Sequence, residues 1–328
     1  MAREILGKDA INEALREEML RDETVIILGE DVTMLGSPFG TCKGLYLEFK
    51  NRVLNTPISE SAIIGTALGA AMTGLRPVAE IMYADFLGCA MDQIINQVAK
   101  TRYMFGGKAR VPMVIKTQQG GYVQNAAQHS QSLEALFMHI PGLKIVIPSN
   151  PYDAKGLMKT AIRDDNPVMF FDHKFFYNMK GAVPEEEYLI PFGEASIKKE
   201  GSDVTIVAIS HMVNFAMEAG NKLEMENISA EIIDPRTLVP LDLKTITDSV
   251  KKTGRAVIVH EANLTCGAGA EIDALISKEA FDYLDAPVER VGAKPVPIPF
   301  SEVLENAALP QVEDIVNTVK KVLARNRK

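Results

Sequence analysis

Glu60 is the residue in this 328-residue sequence whose type and position are best suited to proton transfer. It follows a short apolar stretch and begins a predicted helix with small residues at positions 65, 67, 69, 70 and 71. Small residues let a helix pack closely, so we expect its first turn, capped by Ser59 or Ser61, to lie in the interior. Because removal from water favours a protonated carboxyl group, an interior Glu60 could exchange a proton near neutral pH. The alternative is that Glu60 only hydrogen-bonds the free amides of the helix start.

His129 is a second candidate for proton transfer. It lies in the polar stretch 126–132, directly before a predicted helix that spans residues 133–140. A helix N-terminus disfavours the charged ring, so we expect a neutral imidazole that can accept and return a proton. A purely structural hydrogen bond is the alternative. Met82 and Phe86 lie at a predicted strand-to-helix junction, where apolar residues usually belong to the core.

Two glycine-containing stretches match phosphate-binding motifs only in part. The loop 36–44 contains three glycines and Lys43, but its spacing is not that of a P-loop, so we interpret it as an ordinary or partner-facing loop. Gly267-Ala268-Gly269 follows a predicted strand, yet Ile272 occupies the place of the third glycine of a dinucleotide fingerprint. A nicotinamide site is therefore disfavoured.

Composition and charge exclude several classes of protein. The net charge of −8 argues against a nucleic-acid partner, which needs a basic surface. The three cysteines form no CxxC pair, and the five histidines form no HExxH motif, so a catalytic transition metal is not expected. The first residues lack the apolar core of a signal peptide, and no apolar run reaches about 18 residues. We expect a cytoplasmic protein that does not bind membranes.

The order of apolar segments predicts an α/β fold with two doubly wound, mostly parallel sheets. Strands are predicted at 24–28, 77–83, 111–117, 143–148 and 168–173, with helices near residues 9–19, 60–72, 86–104, 133–140 and 152–163. The pattern restarts with strands at 204–209, 230–233 and 256–260, and a closing amphipathic helix is predicted at 314–323. The predicted organisation is a first domain at 1–178, a Gly/Pro-rich acidic linker at 179–195 and a second domain at 196–328.

Six ordered motifs resemble the beta subunit of thiamine-diphosphate-dependent dehydrogenases that feed a lipoyl acyltransferase, a transketolase-like family. They are Gly29-Glu30-Asp31-Val32, Thr56-Pro57-Ile58-Ser59-Glu60, Gly74-Leu75-Arg76-Pro77, Asp92-Gln93-Ile94-Ile95-Asn96-Gln97, Ala127-Gln128-His129-Ser130-Gln131 and Ile233-Asp234-Pro235-Arg236. Within that family, the stretches most similar to acetoin dehydrogenase are 106–109, 149–156, 177–179, 201–208 and 281–287. The resemblance implies a pyrimidine-binding domain followed by a transketolase C-terminal domain.

The resemblance also implies roles for the candidate residues. The residue matching Glu60 bonds a ring nitrogen of the cofactor's aminopyrimidine and shifts it to the imino form, which then removes the thiazolium proton. Phe86 would stack on the pyrimidine, and Met82 would line the same pocket. His129 would transfer a proton when the two-carbon unit passes to the lipoyl group.

Partners and ions are implied in the same way. A monovalent cation such as K⁺ would be held largely by backbone carbonyls of Met113, Ala161, Asp164 and Asn166. The family holds Mg²⁺ and the diphosphate with a Gly-Asp-Gly motif that this sequence lacks. The resemblance therefore implies an alpha subunit that carries the motif, in an α2β2 heterotetramer.

The sequence thus predicts an oxidoreductase subunit that cleaves acetoin, or decarboxylates pyruvate, and acylates the lipoyl group of an acyltransferase. A branched-chain 2-oxoacid dehydrogenase beta subunit is the alternative within the family. A nicotinamide-dependent dehydrogenase and a non-catalytic scaffold are the alternatives outside it.

Overall fold

A computed structural model describes residues 3–325 of the chain, which fall into two compact units. The first unit contains the residues up to Gln119 together with Leu136–Phe192. The second contains Gly120–Ala135 and the residues from Gly193 onward. The units therefore do not follow chain order, because the segment that carries His129 belongs to the second unit.

The first unit is built on a parallel sheet. Its strands are β1 (Arg3–Leu6), β2 (Val25–Gly29), β3 (Val53–Asn55), β4 (Arg76–Ile81), β5 (Val114–Gln119), β6 (Lys144–Val146), β7 (Val168–His173) and β8 (Lys180–Val183). Six of them pair in the order β6-β7-β5-β4-β2-β3, all parallel, while β1 and β8 form a separate antiparallel pair. The central strands are buried throughout, as expected of a parallel sheet covered on both faces.

Helices connect these strands. Between residues 3 and 183 they are α1 (Gly7–Arg21), α2 (Leu45–Phe49), α3 (Glu60–Met72), α4 (Ala99–Met104), α5 (Glu134–Met138) and α6 (Pro151–Arg163). The predicted helices near residues 9–19, 60–72 and 152–163 are confirmed. Helix α6 begins at Pro151 because Asn150 caps it by accepting a hydrogen bond from the Asp153 amide at 3.0 Å.

Helices α1 and α6 are joined by ion pairs. Lys155 and Lys159 of α6 are buried, and both donate to the carboxylate of Glu17 in α1 at 2.7 Å. Lys155 also contacts Glu13 at 3.2 Å. Because buried ammonium groups need compensating charge, these carboxylates stabilise the contact between the two helices.

Two expectations for the first unit are wrong in detail. The helix predicted at 86–104 is three pieces: a 3₁₀ segment at Ala84–Ala90, a π-helical segment at Gln93–Val98 and α4. Apolar periodicity does not distinguish these helix types over such short segments, because the 3₁₀ and π repeats each differ from the α repeat by less than one residue per turn. The predicted linker also contains β8, which pairs residue by residue with β1.

The second unit contains a five-stranded sheet. The strands of the unit are β9 (Ser196–Lys199), β10 (Val204–Ala208), β11 (Ala230–Asp234), β12 (Thr237–Val239), β13 (Ala256–Asn263) and β14 (Glu289–Ala293), of which β12 lies outside this sheet. Its helices are α7 (Met212–Met225), α8 (Leu243–Thr253), α9 (Ala268–Glu279), α10 (Glu302–Ala308) and α11 (Val312–Leu323). The sheet order is β14-β13-β10-β11-β9, with only β9 antiparallel. The amphipathic prediction for α11 is confirmed, because its four apolar positions are buried: Ile315, Val316, Val319 and Val322.

The predicted α/β class with mostly parallel sheets is confirmed. Across residues 3–325, no helix is both long enough and apolar enough to cross a membrane.

Candidate active site

Three segments of the first unit meet at one edge of its sheet. Strand β2 ends just before Glu30, β3 leads into Glu60 at the start of α3, and β4 ends just before Met82. Because β2 pairs in parallel with both β3 and β4, their carboxyl ends lie side by side. Ligands of open parallel sheets bind outside the carboxyl ends of the strands. The structure thus brings Glu60 to the same edge as the turn that carries Met82 and Phe86.

Glu60 is half-buried at the first position of α3. Ser59 occupies the N-cap position but makes no capping hydrogen bond through its side chain, and the Ser61 hydroxyl donates instead to the Cys89 carbonyl at 3.1 Å. That bond ties the start of α3 to the 3₁₀ turn containing Phe86. The expected side-chain cap is therefore wrong.

The expectation that the start of α3 lies in the interior is also wrong for this chain by itself. Ile58, just before the helix, is 83% exposed, and one face of α3 is open along Ala62, Gly65, Thr66 and Gly69. A Cβ atom added at Gly69 would meet no described atom within 4 Å. The small residues are therefore not used to pack this face within the described chain.

Glu30 is a further carboxyl group at this edge of the sheet, which sequence reasoning did not single out as able to carry a proton. Burial raises the pKa of Glu30, and the nearby charges of Glu60 and Asp31 raise it further. Two carboxyl groups thus lie close enough to influence each other's charge. The position of Glu30 directly after a buried strand, in the Gly29-Glu30-Asp31 motif, is the signal that could have identified this residue.

Aromatic rings support the turn after β4. Phe86 packs edge-on against Tyr83 with ring centroids 5.4 Å apart, and Tyr83 packs edge-on against Phe39 at 5.6 Å. Phe39 also contacts the buried ring of Tyr177 at 5.4 Å. Phe86 is therefore held through Tyr83 by a loop residue that sequence reasoning did not single out.

The loop that carries Phe39 is anchored by a buried polar network. Glu80 of β4 accepts hydrogen bonds from Ser37 and Thr41 of that loop, and it pairs with Lys116 at 3.1 Å. Lys116 lies opposite Glu80 on β5 and also contacts Asp172 at 3.4 Å. Burial disfavours the charged ammonium, but the carboxylates of Asp172 and Glu80 prevail and raise the pKa of Lys116. The sequence signal for this network was Glu80, a charged residue among the apolar residues of β4, and it was overlooked.

His129 lies in the second unit, within a loop of residues 120–131. The ring is half-buried, and its backbone N–H donates to the Ala126 carbonyl at 3.4 Å. Helix α5 begins only at Glu134 and has five residues, so His129 lies outside its first turn. The helix-end argument for His129 is therefore wrong, because a helix dipole acts only over the first turn. Ser130 and Gln131 of the loop, with Glu261, line a cavity of about 360 Å³.

The four residues matched to a cation site come from two segments that hydrogen-bond each other: Met113 directly precedes β5, Ala161 lies in the last turn of α6, and Asp164 and Asn166 follow that helix. Met113 accepts a hydrogen bond from the Val168 amide at 3.0 Å, and Ala161 accepts one from the Asp164 amide at 3.3 Å. The Asp164 carboxylate binds Lys144 and accepts bonds from Asn166. Each of the Met113 and Ala161 carbonyls keeps a second lone pair, and backbone carbonyls are the donors that K⁺ prefers. The donor chemistry fits a monovalent cation at Met113 and Ala161, while the Asp164 carbonyl also accepts a hydrogen bond from Arg76 at 3.0 Å.

The structure also bears on metal binding by side chains and on the glycines at 267 and 269. Among residues 3–325, no three His, Cys, Asp or Glu side chains form a group that could hold a metal ion. A Cβ atom at Gly267 would lie 2.4 Å from the Asn263 carbonyl, and one at Gly269 would lie 3.2 Å from Ile258. Close packing of α9 on β13 therefore explains both glycines of the incomplete dinucleotide motif.

Comparison with known proteins identifies the family. Residues 3–179 match the pyrimidine-binding domain of transketolase, and residues 193–315 match the transketolase C-terminal domain. The chain is 51% identical to the beta subunit of acetoin:2,6-dichlorophenolindophenol oxidoreductase from Bacillus subtilis, over 98% of each chain. It is 48% identical to the pyruvate dehydrogenase E1 beta subunit of Rickettsia felis, over 97% of this chain and 98% of that one.

A solved structure agrees with this assignment. A split-gene transketolase, described as an inactive beta4 tetramer, superposes with a TM-score of 0.79 at 26% identity, over 98% of this chain and 99% of that chain. Both domains, the full length and the fold thus match the same group of proteins. The chain therefore belongs to the transketolase-like family of dehydrogenase beta subunits that includes the acetoin and pyruvate enzymes.

Proposed function

We propose that this chain is the beta subunit of a thiamine-diphosphate-dependent dehydrogenase of the cytoplasm that cleaves acetoin and passes an acetyl unit to a lipoyl group. The observation that carries the proposal is the position of Glu60, at the carboxyl edge of the sheet beside Glu30 and the turn with Phe86. The relatives that are named for acetoin support this substrate over pyruvate. Pyruvate and branched-chain 2-oxoacids are the alternatives, because relatives carry those names too.

The residues of this chain would have distinct tasks toward the cofactor. Thiamine diphosphate supplies a carbon nucleophile from its thiazolium ring when it is bound. Glu60 would give a proton to a ring nitrogen of the aminopyrimidine and take it back, which a carboxyl group can do and an amide cannot. Phe86, which packs edge-on against Tyr83, would stack on the pyrimidine, and Met82 would line the pocket. His129 gives or takes the proton that accompanies acyl transfer to lipoyl.

We further propose that activity requires an alpha subunit in an α2β2 heterotetramer. The chain has no Gly-Asp-Gly motif for Mg²⁺ and diphosphate, so the alpha subunit would hold both. The open face of α3 supports a partner, because its small residues allow close approach of another backbone. The inactivity of the related beta4 tetramer is consistent with this requirement.

We also propose a K⁺ site formed by carbonyls of Met113 and Ala161, with Asp164 and Asn166 in the adjoining turn. A higher thermal unfolding midpoint in KCl than in NaCl at equal ionic strength would support it. Equal midpoints would refute it.

The substrate is tested with the purified chain reconstituted with the alpha subunit and a lipoyl domain. We expect a higher kcat/KM for acetoin than for pyruvate or a branched-chain 2-oxoacid. A higher value for pyruvate would overturn the acetoin assignment and leave the role of Glu60 intact. Full activity without an alpha subunit would overturn the partner requirement. Tight NADH binding, measured by fluorescence titration, would favour a nicotinamide enzyme instead.

A further inference from the structure

The loop that carries His129 has an unusual backbone. Left-handed φ values occur at alternate positions: Gly120 (91°), Tyr122 (64°), Gln124 (51°) and Ala126 (60°). Only glycine adopts this region without a steric penalty, so three of these positions are strained. The loop closes where the Gly120 amide donates to the Gln131 carbonyl at 3.4 Å. Such strain persists only where surrounding contacts outweigh it.

Two buried carboxylates supply contacts of that kind. Glu261 of β13 accepts a hydrogen bond from the Gly121 amide. Glu305 of α10 accepts one from the Gln124 amide at 3.1 Å and a longer one from its side-chain amide at 3.4 Å. Glu305 is 0% exposed and Glu261 is 5% exposed, so both acceptor carboxyl groups lie in the interior.

Tyr122 fixes the loop between those two contacts. Its hydroxyl donates to the Pro310 carbonyl at 2.7 Å, and its ring lies 5.3 Å from Phe215 and 5.5 Å from His211. A Cβ atom at Gly121 would lie 2.5 Å from a Leu309 methyl group, so a larger residue would force the Leu309 side chain to move. The first half of the loop is thus held at three successive points, and His129 follows in its second half.

We propose that Glu261 and Glu305 are positioning residues, which hold the loop in the conformation that presents His129 for acyl transfer. This inference rests on the proposed role of His129 in that step. The two carboxylates act through the backbone amides of the loop and contact no substrate. Their loss should therefore affect the lipoyl step more than the chemistry that precedes it.

The test uses the complex reconstituted with the alpha subunit and compares Glu305→Ala, Glu305→Gln and the matched control Glu302→Gln. Glu302 lies on the same helix and is exposed. We expect Glu305→Ala to lower the ratio of lipoyl-linked to dye-linked turnover about tenfold, the scale of a lost hydrogen bond to a charged group. Glu305→Gln keeps an acceptor oxygen and should restore most of the ratio. In the His129→Ala background, Glu305→Ala should lower the ratio no further.

Hydrogen exchange provides a readout that is independent of turnover. Amides in residues 120–131 should exchange faster in Glu305→Ala than in the control, while those of β13 are unchanged. Unchanged exchange in the loop, equal losses with dye and lipoyl, or a further loss in the His129→Ala background would each overturn the inference. If His129→Ala alone left the ratio unchanged, the proposed role of His129 would fail, even with the loop shown to be anchored.

Discussion

Glu30 and Glu60 place two carboxyl groups at the same edge of the first sheet, where they interact electrostatically. The pKa of Glu30 is raised by burial first and by the charge of Glu60 next. A raised carboxyl pKa means that the folded state binds the proton more tightly than the unfolded state does. The contribution of Glu30 to stability is therefore complete below a pH of about 4.3, the ordinary value for glutamate, and is lost as the pH rises through its raised pKa.

Glu30→Gln should for this reason raise the thermal unfolding midpoint at pH 7.5 and have little effect at pH 4. The amide removes a charge that the fold disfavours only when Glu30 is ionised. Scanning calorimetry of the purified chain at both pH values checks this, with the exposed Glu4→Gln as a control. A larger increase of the midpoint at pH 4 than at pH 7.5 would contradict the raised pKa of Glu30.

Glu60→Gln should lower turnover of the reconstituted complex by about a hundredfold or more, because an amide cannot exchange a proton with the pyrimidine. Assembly with the alpha subunit, measured by light scattering, should be unchanged because the shape is kept. Near-normal turnover in an intact heterotetramer would leave Glu60 with only the role of bonding amides at the start of α3.

Phe39→Leu should weaken cofactor binding by the complex about fivefold. It removes edge contacts with Tyr83, and such aromatic pairs contribute about 1 kcal/mol. Phe86 would then be less firmly held against the pyrimidine. Titration of thiamine diphosphate by calorimetry measures the change, with the exposed Phe281→Leu as a control. Equal affinity in both variants would show that the aromatic contacts do not reach the site.

Glu17→Gln should lower the free energy of unfolding by about 2 kcal/mol at pH 7, since it leaves two buried lysines short of a counter-charge. Burial alone would raise the pKa of Glu17, but hydrogen bonds from Lys155 and Lys159 lower it. Its contribution is therefore complete above the ordinary glutamate value and is lost as the pH falls through the lowered pKa.

Urea unfolding of this variant at pH 7 and at pH 3 checks the prediction, with the exposed Glu186→Gln as a control. The difference between Glu17→Gln and the natural chain should shrink at pH 3. If the difference in the free energy of unfolding is the same at pH 7 and pH 3, lost packing and not lost charge destabilises the variant.

The sequence by itself determined the α/β class, most of the helices and strands, and the place of Glu60 at a strand-to-helix junction. These features depend on apolar runs and on motifs within a few residues of one another, which local spacing records. Each family motif is a contiguous stretch of sequence, so the resemblance could be recognised without the structure. The comparisons confirm it.

Only the tertiary structure decided which distant groups meet. Glu30 reaches Glu60 because β2 and β3 are neighbours, and Glu80 meets Lys116 because the register of β4 and β5 places them opposite each other. The open face of α3 was likewise invisible, since a stripe of small residues is compatible with packing inside the chain or against another chain. Pairing order and register are set by the burial of whole sheet faces, and no local stretch of sequence carries that information.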